Sequence, residues 1–207
     1  MSKTESELTL RGIDGIVRCW WCGSDPGYMQ YHDHEWGLPV GDDQRLFEKI
    51  CLEGFQAGLS WLTILRKRPA FRESFDGFEI DRVSRFTNRD VNRLLKNAGI
   101  VRHRGKIEST INNACRALEM IAEIGSLAEF FWQFEPKQHL IVRSRNDIPA
   151  KTDESTAMSK ELKRRGWSFV GPTTCYAFMQ SMGIVNDHSP DCRFYQPAKL
   201  ARKNFVR

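Results

Sequence analysis

Cysteine and histidine residues lie near both ends of the sequence at spacings typical of metal ligands. Cys19 and Cys22 form a C-x-x-C pair, and His188 and Cys192 stand four residues apart. Zinc takes four such ligands in a structural site. Local spacing favours Cys22 as the partner of Cys19, and His32 is the alternative. A site of this kind would join the two ends of the folded chain and contribute to folding.

Two enzymatic uses of these residues fit the sequence poorly. A redox C-x-x-C normally follows a strand in a βαβ unit, and no such unit is predicted. A zinc deaminase needs H-x-E together with P-C-x-x-C, whereas residues 32–35 read His-Asp-His-Glu and Arg18 replaces the proline. The other alternative to a metal site is that these thiols and imidazoles pack in the core.

One carboxylate interrupts an apolar helical face. Glu53 stands three residues after Ile50 and four before Ala57, so it shares the face that otherwise packs in the core. Buried carboxylates are costly unless hydrogen-bonded, and such positions are enriched in functional groups. For Glu53, the alternative is an acid that caps a neighbouring helix. Aromatic side chains nearby could stack on a flat ring, and packing in the core is the alternative for them. These aromatic residues are Trp20, Trp21, Tyr28, Tyr31, Trp36 and Trp61.

A helical hairpin with a basic edge is predicted near residue 170. One helix ends in Lys163-Arg164-Arg165-Gly166, residues 167–171 follow, and Pro172 begins a second helix that ends at Gly183. Backbone N–H groups at the start of that helix suit a phosphate. The alternative is an ordinary helix pair with solvated basic side chains.

The spacing of apolar residues elsewhere predicts helices and almost no strands. One helix runs from Asp42 to beyond Trp61, and Asn88 caps another that stops at Gly99. A long helix stops at Gly125, and Ser126 begins the next as part of a capping box. An irregular loop is expected over residues 139–153. We expect a flexible extension over residues 1–15, a single domain over 16–197 and a basic tail over 198–207.

Composition limits the class of protein. The 207 residues are 41% hydrophobic and 28% charged, which is typical of a globular chain. No signal peptide or membrane span is predicted, so we expect a soluble protein of the cytoplasm. The net charge of +5 is compatible with a nucleic-acid partner but does not require one.

Several dense motifs closely resemble the 3-methyladenine DNA glycosylase I family, over about residues 17–196. They are residues 25–26 (DP), 31–37 (YHDHEWG), 51–61 (CLEGFQAGLSW), 97–107 (NAGIVRHRGKI), 170–171 (VG) and 185–188 (VNDH). The resemblance implies an all-α fold of the helix-hairpin-helix DNA glycosylase type, with one structural zinc joining the N- and C-terminal segments. It implies the ligands Cys19, His32, His188 and Cys192, which replaces the preference for Cys22.

The resemblance also implies roles for the remaining candidates. Glu53 would be the catalytic and base-binding carboxylate, Tyr31 and Trp61 would pack on the base, and Trp21, Tyr28 and Trp36 would surround it. The DNA backbone would contact Lys163, Arg164, Arg165, Gly166, Val170, Gly171, Thr173 and Thr174. The implied activity is release of 3-methyladenine from alkylated double-stranded DNA by a monomer that needs no membrane.

Two departures from the wider superfamily bear on mechanism. Asn186 stands where an aspartate is usual, with Asp187 shifted by one, and no lysine stands at the position that a lyase needs. We therefore expect a monofunctional enzyme. The alternatives are a non-catalytic, zinc-stabilised DNA-binding module and a hydrolase of free nucleosides.

Overall fold

The computed structural model describes residues 8–138 and 140–206, and this part of the chain is mostly helical. Its two strands are β1 (Thr9–Arg11) and β2 (Val17–Cys19). Its helices are α1 (Pro26–His34), α2 (Asp43–Gln56), α3 (Trp61–Ser74), α4 (Ile80–Ser84), α5 (Asn88–Lys96), α6 (Arg104–Ile124), α7 (Leu127–Trp132), α8 (Asp153–Arg164), α9 (Pro172–Ser181) and α10 (Tyr195–Lys203). Three short 3-10 turns lie at Trp20–Cys22, Asp76–Phe78 and Arg145–Asp147.

The chain divides into two compact units, where the sequence predicts one domain. The first unit combines Met1–Pro39, Glu135–Ala150 and Met179–Val206, and the second combines Val40–Phe134 with Lys151–Phe178. The sequence could not indicate this division, because each unit collects stretches that are far apart along the chain.

In the first unit, β1 and β2 form an antiparallel hairpin. Thr9 pairs with Cys19, and the Leu8 side chain is buried. The prediction of a flexible extension up to residue 15 is therefore wrong from Leu8 onward; residues 1–7 lie outside the described part of the chain. Strand pairing uses backbone hydrogen bonds and leaves little trace in the apolar pattern of three residues. The predicted tail is likewise helical at its start, because α10 continues to Lys203.

The second unit packs its helices around a core of phenylalanine rings. Phe55 and Phe71 lie 4.6 Å apart between ring centroids, and Phe75 stacks on Phe78 at 5.4 Å. These four rings are fully buried. They join α2 to α3 and to the turn that follows α3, which fixes the helix that carries Glu53.

The expected helix over Asp42–Leu65 is two helices, α2 and α3. Gly58 has a φ of +82°, a backbone conformation that interrupts a helix, and the Ser60 side chain caps the start of α3. The apolar spacing continues across this break, so the pattern alone could not reveal it.

The other helix predictions hold except at the two ends of α5. Thr87 caps α5 in a capping box with Asp90, so the predicted cap at Asn88 is one residue late. The helix ends at Lys96, before the predicted stop at Gly99. The ends of α6 at Gly125 and of the hairpin helices agree with the prediction. The loop after α7 is irregular in its described residues apart from one 3-10 turn, and His139 lies outside them. Among the described helices, none is long and apolar enough to cross a membrane.

Candidate functional site

Four buried residues of the first unit bring their ligand atoms together. Cys19, His32, His188 and Cys192 place one donor atom each within 4.8 Å of the others. Cys19 Sγ lies 3.5 Å from His188 Nδ1, and Cys192 Sγ lies 3.6 Å from both His32 Nε2 and His188 Nδ1. The set that the family resemblance implies is therefore the one that the fold assembles. Cys22 is buried outside the cluster, where its thiol points to the Gly23 carbonyl.

Both imidazoles of the cluster are oriented through their second nitrogen. His32 Nδ1 lies 2.8 Å from the Asp33 carboxylate, and His188 Nε2 lies 3.2 Å from the Trp36 carbonyl. These contacts direct His32 Nε2 and His188 Nδ1 toward the sulfurs, which is the arrangement of metal-binding histidines. Arg18 in turn makes a two-pronged hydrogen bond to Asp33.

The two thiols of the cluster differ in acidity from each other. Hydrogen bonds from the Cys19 thiol and the two imidazoles lower the pKa of Cys192, which favours its thiolate, the form that binds metals. Burial raises the pKa of Cys22 to about 11, so Cys22 stays a neutral thiol at pH 7. The hydrogen bond to Cys192 and burial raise the pKa of Cys19, so the cluster holds one thiolate and one thiol. Position, not acidity, therefore separates Cys22 from the cluster.

Four of the predicted base-binding aromatics pack together in the first unit. Trp21 contacts Tyr28 at 5.2 Å and Trp36 at 4.8 Å between ring centroids, and Tyr28 stacks on Tyr31 at 6.4 Å. Trp21 also lies edge-on to His32 at 5.2 Å. This group of rings is therefore attached to the Cys/His cluster on one side.

Glu53 lies in the second unit, on the buried face of α2. Its side chain is 5% exposed, and its Oε1 atom lies 2.7 Å from the ammonium of Lys49, one helical turn earlier. The same ammonium lies 3.1 Å from the centre of the Trp61 ring at the start of α3. A carboxylate, a cation and an aromatic face thus meet at one point.

A cavity of about 220 Å³ opens beside Glu53. Glu53 and the loop after α2 line one side, and the first turn of α9 lines the other. Thr173 and Thr174, predicted to contact DNA, therefore face the same space as Glu53. The complete lining is Glu53, Gln56, Ala57, Gly58, Leu59, Thr173, Thr174 and Ala177.

Side chains of α6 and α8 hold the hairpin between α8 and α9 by its backbone. Asn113 accepts a hydrogen bond from the Ser168 amide and donates one to its carbonyl, each at 3.0 Å. Asn112 donates to the Gly166 carbonyl at 2.8 Å, and Ser159 donates to the Val170 carbonyl at 2.6 Å. These bonds fix the loop, so the N–H groups that begin α9 have a defined direction.

The basic residues before the hairpin are engaged in ion pairs. Glu161 accepts hydrogen bonds from both Arg164 and Arg165, and Arg165 also pairs with Glu123 at 2.7 Å. Ion pairing with these arginines lowers the pKa of Glu161 to about 2, so it is ionised at neutral pH. A phosphate near this edge would therefore compete with two carboxylates for the guanidinium groups.

Neither Asn186 nor Asp187 is free to approach a substrate in the first unit. Asn186 donates to the Tyr195 carbonyl, and Asp187 accepts a hydrogen bond from Gln180 at 2.8 Å. Both side chains are at least 90% buried. They support the segment that carries His188.

Sequence reasoning missed three contributors. Lys49 stands at i−4 from Glu53, a spacing that itself signals an ion pair on a helix. Asp33 is adjacent to a predicted ligand, yet nothing in its spacing reveals a bond to the ring. Asn113 lies among the apolar residues of α6, and a buried amide there is the signal of a structural hydrogen bond.

The helical fold, the clustered thiols and imidazoles and the hairpin beside a buried carboxylate are those of a DNA glycosylase. A 3-methyladenine DNA glycosylase I of known crystal structure superposes with a TM-score of 0.82 and 49% identity, over 85% of this chain and 98% of that one. The methyladenine glycosylase family model matches residues 21–196. The chain belongs to the methyladenine glycosylase family.

Two further relatives indicate what such proteins act on. The DNA-3-methyladenine glycosylase of Haemophilus influenzae is 47% identical over 85% of this chain and 96% of its own. A variant of 3-methyladenine DNA glycosylase I, crystallised in complex with 3-methyladenine, superposes with a TM-score of 0.81 and 37% identity, over 85% of this chain and 96% of that one.

Proposed function

We propose that this protein removes 3-methyladenine from alkylated double-stranded DNA by hydrolysing the N-glycosidic bond. The observation that carries the proposal is the buried carboxylate of Glu53 beside the face of Trp61, next to a cavity that the hairpin helix also lines. An anion and an aromatic face are the groups that favour a cationic ring over a neutral one.

In this reaction the protein has mainly to select the damaged base and to hold it in position. Methylation at N3 makes the adenine ring cationic while it is attached to the sugar. When the C1′–N9 bond breaks, its electron pair leaves with the base and cancels the positive charge, so no proton has to be supplied. Water adds to C1′ and releases a proton to solvent. Glu53 holds the base while this happens, and flipping costs less for a damaged base.

In this proposal the hairpin between α8 and α9 contacts the DNA. The N–H groups of Thr173 and Thr174 lie at the start of α9 and would bind a phosphate. Gly166, Val170 and Gly171 would let the DNA backbone approach the hairpin closely. Lys163, Arg164 and Arg165 would add positive charge at the same edge. The base contacts of Tyr31, Trp21, Tyr28 and Trp36 stay predictions.

The Cys/His cluster would hold one structural zinc ion. For tetrahedral zinc with Zn–S near 2.3 Å and Zn–N near 2.05 Å, sulfur and nitrogen should lie about 3.6 Å apart. The measured separations of 3.5 and 3.6 Å agree with this value. All four donors are used and buried, so the ion would connect β2, α1 and the segment after α9 without taking part in hydrolysis.

The deciding experiment is incubation of the purified protein with methylated duplex DNA, followed by chromatography of the released bases. We expect 3-methyladenine to appear while 7-methylguanine stays in the DNA. Folded protein that binds the duplex but releases no base would contradict the proposal and favour a DNA-binding module. Release from free nucleosides alone would indicate a nucleoside hydrolase.

A further inference from the structure

Lys49 is a buried charge beside Glu53 that the proposed reaction leaves without a role. It is 6% exposed, and its ammonium lies 2.7 Å from Glu53 Oε1 and 3.1 Å from the centre of the Trp61 ring. A cation in contact with a carboxylate and a π face is satisfied by both. These are the two groups that the proposed function assigns to a cationic base.

Space at the ring allows only one occupant of that face. At 3.1 Å from the centroid, the ammonium is in van der Waals contact with Trp61, and a flat base stacking on the same face would need this position. The ammonium ends a flexible four-carbon stem, which lets it swing away without any change in the helix.

We propose that the Lys49 ammonium is a built-in competitor of the base: it holds Glu53 and Trp61 until a cationic base displaces it, and it returns once the base is neutral. This inference rests on the proposed function. A cationic base replaces the ammonium charge for charge at Glu53. An undamaged adenine is neutral and would leave the carboxylate without a counter-charge, which is unfavourable in a buried site.

The same competition favours product release. Bond cleavage turns the bound base from a cation into a neutral molecule, so its attraction to Glu53 falls at that step. Lys49 keeps its charge throughout and regains the carboxylate. The lysine thus favours entry of the damaged base over undamaged bases and departure of the product.

The first test uses the unmodified protein. Lysine labelled with ¹³C at Cε should give one signal displaced by the ring current of Trp61, identified as Lys49 by its loss in Lys49→Arg. Addition of 3-methyladenine should move this signal to the position of exposed lysines. An unchanged Lys49 signal in base-saturated protein would overturn the proposal.

The second test compares the affinity of free, neutral 3-methyladenine among variants. Lys49→Met keeps the length of the side chain without its charge and should bind the neutral base about tenfold more tightly, because the competitor is gone. Lys96→Met, an exposed lysine on α5, is the matched control and should bind like the wild type. Weaker or equal binding by Lys49→Met would indicate that Lys49 only positions Glu53, and would overturn the proposal.

Base release from methylated duplex DNA by the wild type separates the two claims. Release without tighter binding in Lys49→Met contradicts the competitor role alone. Absence of release contradicts the proposed function and the competitor role with it. If Lys49→Met does not fold, the labelled-lysine measurement on the wild type decides.

Discussion

At the scale of single residues, the charge of Glu53 should determine the affinity for the base. Glu53→Gln keeps the shape but removes the charge, and loss of a charge-assisted hydrogen bond costs about 1.5–3 kcal/mol, or at least about tenfold in affinity. Titration with 3-methyladenine measures this. Glu48→Gln is the control, since Glu48 lies on the same helix but pairs with Arg72. Equal affinity in wild type and Glu53→Gln would exclude the assigned role.

Asp33 should tune metal affinity without touching the ion. Asp33→Asn weakens the acceptor for His32 Nδ1, and loss of such an outer partner lowers metal affinity about 10–100-fold. Competition with a chromogenic chelator measures the change. Asp14→Asn is the matched control, because Asp14 shares Arg18 with Asp33 but has no bond to His32. Equal affinities in the two variants would show that the contact to His32 is unimportant.

Ligand assignment separates what residue patterns could predict from what they could not. Residue types and spacing indicated Cys19, His188 and Cys192 as ligands, and left Cys22 and His32 as alternatives for the fourth. The choice between them depends on the fold. Helix α1 brings His32 close to Cys19 at the end of β2, while the turn at Trp20–Cys22 directs the Cys22 thiol toward the Gly23 carbonyl. Spacing along the chain does not reveal that His32 lies beside Cys19 in the folded protein.

At the scale of elements, the turn after α9 should tolerate no side chain. Gly183 has a φ of +72°, and an added Cβ would lie 2.5 Å from the backbone of Leu38 and Pro39. We expect Gly183→Ala to lower the free energy of unfolding by about 3 kcal/mol or more, from overpacking and backbone strain together. Gly58 has a similar φ with open space around it, so Gly58→Ala should cost only about 1 kcal/mol. Urea unfolding of the two variants gives the difference, and equal losses would contradict the argument.

The carboxylates near the hairpin should restrain DNA binding. Glu161→Gln removes the charge that holds Arg164 and Arg165, so duplex affinity at low salt should rise and the salt dependence should steepen by about one counterion. Asp81→Asn, which releases Arg85 at the end of α4 instead, is the control. Identical salt slopes for wild type and Glu161→Gln would place these arginines outside the DNA contact.

At the scale of the whole molecule, metal removal should affect stability before chemistry. The four ligands belong to the first unit, whereas Glu53 and Trp61 belong to the second. We expect a chelator to lower the melting temperature and to speed amide exchange in β2 and α1. Base release by protein that is still folded should persist. Loss of release with full amide protection would instead indicate a metal that acts in the reaction.

The overall division of the chain was beyond prediction from sequence. Local patterns predicted most helices, because amphipathic spacing and capping residues involve only neighbouring positions in the sequence, as at Gly125 and Ser126. The β1–β2 hairpin and the two units depend on contacts between distant stretches. Lys49 is an intermediate case: its spacing from Glu53 was readable, but its position over Trp61 required the break between α2 and α3.

The order of the four residues along the chain also determines when each becomes available during synthesis. His32 leaves the ribosome early, and Cys192 follows it by 160 residues. At about 5–20 residues per second, the nascent chain carries only Cys19 and His32 of the four ligands for roughly 10–30 s. During this interval Cys19 and Cys22 are the nearest thiols to each other, so a metal captured too early would be held by the wrong cysteine. Correct loading of the proposed metal would therefore have to await the last ligands, or the metal would have to transfer to them when they emerge.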